Sequence, residues 1–226
     1  RGVSADWVPI PALLATSGIH HHLIREETRT RCGLVVETGE AREVQHFALL
    51  TGYGAGAVNP YLAFATIHQM QVDGYLPADY QADVLEKKYV KAVAKGVLKV
   101  MSKMGISTQQ SYRGAQIFEA IGLNRQFIDE YFSWTASRIQ GIGIEAIAEE
   151  SIRRHEHAYP TTSVPEVLQL DVGGQYQWRR KGEAHLFNPD VIARLQHSTR
   201  INSREEFTKF CELIDRQEKR LLTLRG

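Results

Sequence analysis

Polar side chains follow one another closely between residues 107 and 113, where the sequence reads STQQSYR. Hydroxyl, amide, phenol and guanidinium groups at this density need partners when they are buried, and those partners can be ligand atoms, water or another domain. The run is β-capable, so we predict a short strand over residues 106–112 that turns at Arg113 and Gly114 into a further helix. This is where we predict a site, although the composition does not identify its ligand.

The element that positions this run is a long amphipathic helix, predicted from about Ala82 to Met104. Apolar residues recur along it at a spacing of three to four, as in a helix with one buried face. Gly96 costs about 1 kcal/mol relative to alanine inside a helix, and a close helix crossing at that point would explain it.

Lysines fall at every fourth residue of this helix and form a cationic row beside the apolar stripe. The row consists of Lys87, Lys91, Lys95, Lys99 and Lys103. Two interpretations stay open: a solvated face, or contact with an acidic neighbour, an anionic cofactor or a substrate carboxylate.

The first third of the sequence alternates helix and strand patterns. Residues 9–27 and 40–50 have helical apolar spacing, and the β-branched run at residues 30–38 predicts a buried, parallel strand. Asn59 and Pro60 predict the start of another helix, with Asn59 as its N-cap. Helix, strand and helix in succession indicate an α/β layer, so the expected fold class is α/β and helix-rich.

Three short motifs in this region could carry chemistry. Residues 20–22 are consecutive histidines, which point about 100° apart on a helix and therefore favour helix-end or core positions over a metal site. Residues 37–40 end the predicted strand, where open α/β sheets bind ligands, although Thr38 and Glu40 also suit a helix start. Residues 52–56 (GYGAG) could cradle an anion, but they follow a helix rather than a strand, which favours a plain connection.

The second half of the sequence predicts mainly helices. They cover residues 115–121, 127–132, 144–155 and 190–197, and a stretch after Ser203. Asn188 and Ser203 have the types and positions of helix caps. Residues 160–165 resemble a linker, and residues 176–187 a weak, exposed hairpin.

Length and composition exclude several classes of function. A chain of 226 residues fits one large domain or two small ones, and its net charge of +1 does not favour nucleic acid or a membrane surface. Cys32 and Cys211 form neither a disulfide framework nor a zinc motif, as is typical of a reducing compartment. No apolar run approaches the ~20 residues of a membrane span. The sequence opens with Arg-Gly-Val, so we expect a segment of a longer protein.

Several stretches, spread over nearly the whole chain, resemble the large subunit of glutamate synthase. The longest, at residues 88–123, ends in VMSKMGISTQQSYRGAQIFEAIGL. The others are LVVETGEAREVQHFALLTGYGAGAVNPYLAF, SRIQGIGIEAIAEESIRRH and HLFNPDVIARLQHSTR, together with LLTLRG.

The resemblance implies an enzyme that makes two L-glutamates from L-glutamine and 2-oxoglutarate. In this family a cysteine amidotransferase domain releases ammonia, which passes through a tunnel to an FMN-bearing (β/α)8 barrel. A 3Fe-4S cluster helps to bring electrons from NADPH through a small subunit, or from ferredoxin. The implied location is the cytoplasm, or the plastid stroma in a plant.

The resemblance also implies how this chain is organised. Residues 1–95 would end the central α/β domain, and residues 96–226 would form a mainly helical segment that leads into the FMN-binding barrel, with a boundary near residue 160 as the alternative. The chain lacks the nucleophilic cysteine and the closely spaced cluster cysteines of the family. We therefore expect a structural, tunnel-forming segment that is inactive alone, with no catalytic or metal-binding residue.

Five polar residues are predicted to lie on the flavin or 2-oxoglutarate side of such an enzyme. They are Ser107, Ser111, Tyr112, Arg113 and Gln116. The alternative function is an independent regulatory module that senses a small anionic metabolite through the lysine row or Arg113, because fold alone does not settle function. A gene that continues into a cysteine-bearing barrel would favour the enzyme segment, and a stop codon after Gly226 would favour the module.

Overall fold

The computed structural model describes residues 3–77, 79–160, 172–216 and 222. The chain divides into two compact units, Arg1–Thr161 and Thr162–Gly226. The helices of the first unit are α1 (Ala12–Arg25), α2 (Val44–Gly52), α3 (Tyr61–Val72), α4 (Ala82–Lys103), α5 (Gln109–Tyr112), α6 (Arg125–Tyr131) and α7 (Ile144–Ala158). Its strands are β1 (Val35–Glu37), β2 (Ala57–Asn59), β3 (Glu119–Leu123) and β4 (Ala136–Ile142), and the second unit contains α8 (Pro189–Arg200) and α9 (Arg204–Asp215). The predicted helix-rich α/β class is confirmed.

The first strand pair joins β1 and β2 in parallel, with Val35 opposite Ala57 and Glu37 opposite Asn59. The parallel strand predicted at residues 30–38 is therefore confirmed in kind, but it is shorter, because a 3-10 turn at Arg29–Arg31 precedes it. Its predicted burial is wrong, since the side chain of Val35 is 75% exposed.

Asn59 does not cap α3 as predicted. It is the last residue of β2, and its side-chain amide donates a hydrogen bond to the Glu37 carboxylate at 3.2 Å. Pro60 takes the cap position instead, without a side-chain hydrogen bond to the helix.

The long helix α4 is confirmed almost to the residue, and α2 packs against it. Gly96 lies against Val44 of α2, where an added Cβ would collide with the Val44 side chain. The predicted close helix crossing at Gly96 is therefore confirmed. Phe47 and Leu50 of α2 form the core here, and Val93 of α4 packs against them.

The strand predicted at residues 106–112 is wrong, because its second half is the helical turn α5. The Thr108 hydroxyl oxygen accepts a hydrogen bond from the Ser111 backbone N–H at 3.3 Å and caps this turn. A capping hydroxyl competes with extended backbone, which the polar composition alone does not show.

The helix predicted at residues 115–121 is also wrong, since this part of the chain enters β3. β3 pairs in parallel with β4, a strand that was not predicted, and Ile121 lies opposite Ile139. The helix α6 connects the two strands and buries Phe127 and Ile128. It also contacts α1, where the Ser17 hydroxyl donates a hydrogen bond to the Tyr131 carbonyl at 2.5 Å.

The second unit confirms the predicted caps. The Asn188 side chain accepts from the backbone N–H groups of Asp190 and Val191, and the Ser203 hydroxyl accepts from that of Glu206. The hairpin predicted at residues 176–187 is wrong, because these residues form turns and bends and contain no strand. The linker prediction falls outside the described residues from residue 161 onward.

No helix in the described part of the chain has the length and apolar character needed to cross a lipid bilayer. The predicted domain boundary at residue 95 falls inside the continuous helix α4. It stays a prediction, as does the alternative near residue 160.

The Gly96 crossing gives a stability prediction. We expect Gly96→Leu to lower the unfolding free energy by about 1–3 kcal/mol, because the new side chain has no room beside Val44. Thermal and urea denaturation of the chain measure the change. Ala94→Leu is the matched control, since Ala94 is exposed on the same helix and should tolerate the larger side chain.

The crossing also predicts coupling between its two residues. Gly96→Ala should cost less in a Val44→Ala background, which opens the space that the new methyl group needs. Additive effects of the two substitutions would show that this contact does not set the helix crossing.

Candidate functional site

A cavity of about 500 Å³ opens in the first unit between α1, the end of α2, residues 112–118 and the end of α6. The chain reaches it through the turn after α5, where the Gly114 N–H donates to the Gly52 carbonyl at 2.8 Å. Because Gly52 packs against Phe118, a Cβ at this position would collide with that ring. The volume lies in the range of small-molecule sites.

His20 forms one wall of the cavity and has an unusual hydrogen bond. Its Nδ1 accepts from the Arg29 guanidinium at 2.8 Å. Burial first, and then the nearby His21, Arg29 and Arg113, lower the pKa of His20 from 6.5 to about 4. The ring is therefore neutral at physiological pH, with Nε2 carrying its proton.

Charges of both signs line the same cavity. Arg25 donates to the Glu130 carbonyl at 3.2 Å, and Asp129 contributes a carboxylate. Burial and then Arg25 lower the pKa of His21. Both histidines are thus biased towards the neutral form, which leaves Arg25 as the permanent cation in the cavity wall.

Two rim residues adopt backbone conformations that only glycine adopts easily. Gln116 has φ +55° and Trp134 has φ +71°. The Trp134 side chain is 82% exposed. Left-handed backbone at large residues is uncommon and concentrates at functional sites and turns.

Two of the five residues predicted for the flavin or 2-oxoglutarate side line this cavity. Tyr112 and Gln116 line the cavity, whereas Ser107, Ser111 and Arg113 do not. Ser107 and Ser111 are exposed, and the buried Tyr112 donates its hydroxyl to the Ala48 carbonyl at 3.1 Å.

The prediction that these five residues lie on the flavin or 2-oxoglutarate side therefore stays a prediction. The sequence supplies two cysteines, Cys32 and Cys211, which are fewer than the thiolates that hold an iron–sulfur cluster.

The glycine-rich loop at residues 52–56 is a connection rather than an anion cradle. Its N–H groups are already used: Gly54 donates to Thr51, Ala55 to Leu50 and Gly56 to Leu34. Gly54 has φ +112° and lies against the His20 ring, so the glycine serves close packing.

A second cavity, of about 830 Å³, lies at the carboxyl end of β1 and includes residues 37–40. The strand-end rule predicted this location. Glu40 also caps a helix, but a different one from the helix expected, since its carboxylate accepts from the Ala12 N–H at the start of α1 at 2.9 Å.

The lysine row of α4 is exposed to solvent. Lys87 pairs with Asp83 at 2.8 Å on the same helix, an exposed pair of little energetic weight. Lys91, Lys95 and Lys99 are exposed and form no ion pair with the described residues. The structure therefore favours the solvated face over a binding role.

His20, His21 and His22 belong to no metal-binding cluster within the described residues. Sequence reasoning missed Arg25, Arg29 and Trp134, which shape the cavity. Their partners come from distant segments, so no local pattern marks them.

One family model matches this chain over most of its first unit. Residues 1–124 match the model of the glutamate synthase central domain. The chain therefore belongs to the glutamate synthase central-domain family.

Relatives with the same name match over nearly the whole chain. The NADPH glutamate synthase large chain of Bacillus subtilis is 52% identical over 96% of this chain. The NADH glutamate synthase of Schizosaccharomyces pombe is 40% identical over 100%, and the ferredoxin-dependent glutamate synthase of Antithamnion sp. is 36% identical over 93%. The chain spans only 14%, 11% and 14% of these relatives, respectively.

The lowered pKa of His20 predicts how stability depends on pH. Between pH 6.5 and about 4 the unfolded chain binds a proton at this residue and the folded chain does not. The unfolding free energy should therefore fall as the pH drops through this window. His20→Gln, which keeps an acceptor for Arg29, should remove part of that fall in urea denaturation at pH 7 and pH 5.

His22→Gln is the matched control, because His22 is exposed on the same helix. NMR titration of the imidazole signals measures the pKa of His20 directly. A His20 ring that titrates near pH 6.5 would contradict the described packing.

Proposed function

We propose that this chain is a segment of a glutamate synthase, an enzyme that makes L-glutamate from L-glutamine and 2-oxoglutarate with reducing equivalents. The match of residues 1–124 to the central-domain family carries the proposal. The relatives named above support it, because they share that name and align along nearly all of this chain.

Within that enzyme we assign the chain a structural and tunnel-forming role. The rigid packing of α2 on α4 at Gly96 supports the structural part. The cavity beside His20 supports the tunnel part, since ammonia needs a path that does not protonate it, and a neutral imidazole is a poor acid at physiological pH. The chain alone would not catalyse the reaction.

The cofactors and partners of the proposed enzyme lie mainly outside this chain. FMN and a 3Fe-4S cluster would be held mainly by other segments, because two cysteines are fewer than a cluster needs. Electrons would come through a small subunit with NADPH, from NADH or from ferredoxin, which are the donors that the relatives' names contain. The reaction would run in the cytoplasm, or in the plastid stroma of a plant.

The domain assignment follows the same proposal. Residues 1–95 would complete the central domain and residues 96–226 would lead into the synthase barrel, but the central-domain match continues to residue 124 and favours a later boundary. The parallel pair β3–β4, connected through α6, supports an entry to the barrel near residue 124, because a strand, a helix and a parallel strand form the repeating unit of a (β/α)8 barrel.

The test uses the complete enzyme that contains this segment. We expect glutamate formation from L-glutamine and 2-oxoglutarate. Ala115→Phe, which fills the cavity, should lower the glutamine-dependent rate severalfold and leave the rate with added ammonium nearly unchanged. Added ammonia bypasses a blocked path, so the ratio of the two rates reports on the tunnel rather than on folding.

Ala94→Phe is the matched control on the exposed face of α4 and should leave the ratio unchanged. Equal loss of both rates in Ala115→Phe would refute the tunnel role. A complete enzyme that forms no glutamate with any of the three electron donors would refute the proposed function itself.

A further inference from the structure

Arg113 is a half-buried cation for which the described part of the chain supplies no side-chain hydrogen bond or ion pair. Its Nε is buried and forms no hydrogen bond. Within residues 3–77, 79–160, 172–216 and 222, its guanidinium takes part in no ion pair either. A partly desolvated charge without a partner costs free energy, and folded proteins normally pair or hydrogen-bond such groups.

The surroundings of Arg113 are cationic. Arg29 and Arg113 both lie close enough to His20 to act on its charge. Arg29 donates hydrogen bonds to the Cys32 carbonyl, the Gly54 carbonyl and the His20 ring, at 2.8–2.9 Å. Arg113 is therefore the guanidinium of this pair whose donors form no hydrogen bond with the described residues.

The tip of Arg113 lies beside the surface. Its Nη2 is 3.7 Å from the position that a Cβ on Gly56 would take, and Gly56 is exposed. Gly56 carries no side chain that could cover this edge of the guanidinium. Arg113 itself does not line the cavity beside His20, although its chain neighbours Tyr112 and Gly114 do.

We propose that Arg113 binds a carboxylate group at this edge. A planar guanidinium fork matches the two oxygens of a carboxylate. A phosphate site would draw on loop N–H groups as well, and those of Gly54, Ala55 and Gly56 already donate to backbone carbonyls. One open fork without a backbone cradle therefore fits a carboxylate better than a phosphate.

The carboxylate can come from two sources. One is a small carboxylate molecule from solution. The other is an aspartate or glutamate side chain of another segment of a longer protein, since this chain spans only 14% and 11% of the Bacillus subtilis and Schizosaccharomyces pombe relatives. This inference goes beyond the proposed structural role and holds for either source.

The first arm of the experiment uses the 226-residue chain with malonate as the probe and chloride at equal ionic strength as the reference. In chloride, Arg113→Met should be as stable as the original chain or more stable, because it removes an unsatisfied donor. If the carboxylate comes from solution, malonate raises the melting temperature of the original chain and binds Arg113→Met about tenfold more weakly or worse.

Arg42→Met is the matched control, because Arg42 is also an arginine of the first unit and is exposed. It should keep the full response to malonate. Arg113→Lys, which retains the charge but not the fork, should give an intermediate response.

The second arm uses the complete enzyme. If the carboxylate is a side chain of another segment, malonate has no effect on the 226-residue chain, and Arg113→Met lowers the melting temperature of the complete enzyme only. A packing role of Arg113 inside the chain would instead lower the melting temperature of both the 226-residue chain and the complete enzyme.

Two outcomes would overturn the inference. One is loss of stability of the 226-residue chain in chloride on Arg113→Met, which would mean that Arg113 has a packing role. The other is the absence of any Arg113-dependent effect in both arms. Glutamate formation is measured separately, so failure of the proposed function would leave a malonate response intact.

Discussion

The guanidinium of Arg29 holds together the part of the molecule that contains the cavity. It donates to the His20 ring on α1, to the Cys32 carbonyl before β1 and to the Gly54 carbonyl after α2. Three segments that are separate in sequence are thereby fixed around one planar group. The bond to Nδ1 requires a neutral His20, because a protonated ring has no acceptor to offer.

Close backbone approach is the second constraint, and glycine permits it at each point. The backbone of Gly54 has a positive φ, and the His20 ring packs directly against it. At the helix crossing, the Val44 side chain packs directly against Gly96. In the second strand pair, Gly141 lies so close to the backbone of Gly122 that a Cβ has no room. The fold thus brings its helices and strands nearer than side chains would allow, at positions where the sequence alone shows only weak helix or strand formers.

Local sequence patterns predicted the helices in which buried residues recur at a regular spacing. They did not predict the strands β3 and β4, whose partners are distant in sequence. The helix α4 and the caps at Asn188 and Ser203 follow from spacing and residue type. The strands β3 and β4 were missed because a parallel partner lies beyond an intervening helix and leaves no alternation in the sequence. The cavity was anticipated only in part, for the same reason: Gln116 and Tyr112 reach it, whereas His20, Trp134 and the other walls come from elsewhere in the chain.

The second strand pair leaves large apolar side chains in contact with solvent. Two-stranded parallel sheets are rarely stable without cover on both faces, because their strands are apolar throughout. Here Ile121 and its neighbour Ile139 are 69% and 60% exposed. Burial of such side chains stabilises a fold by about 1.5–3 kcal/mol each, so leaving them in water forgoes a contribution that is large compared with net stability. The exposed isoleucines therefore mark a surface of this strand pair that would gain stability if another apolar surface covered it.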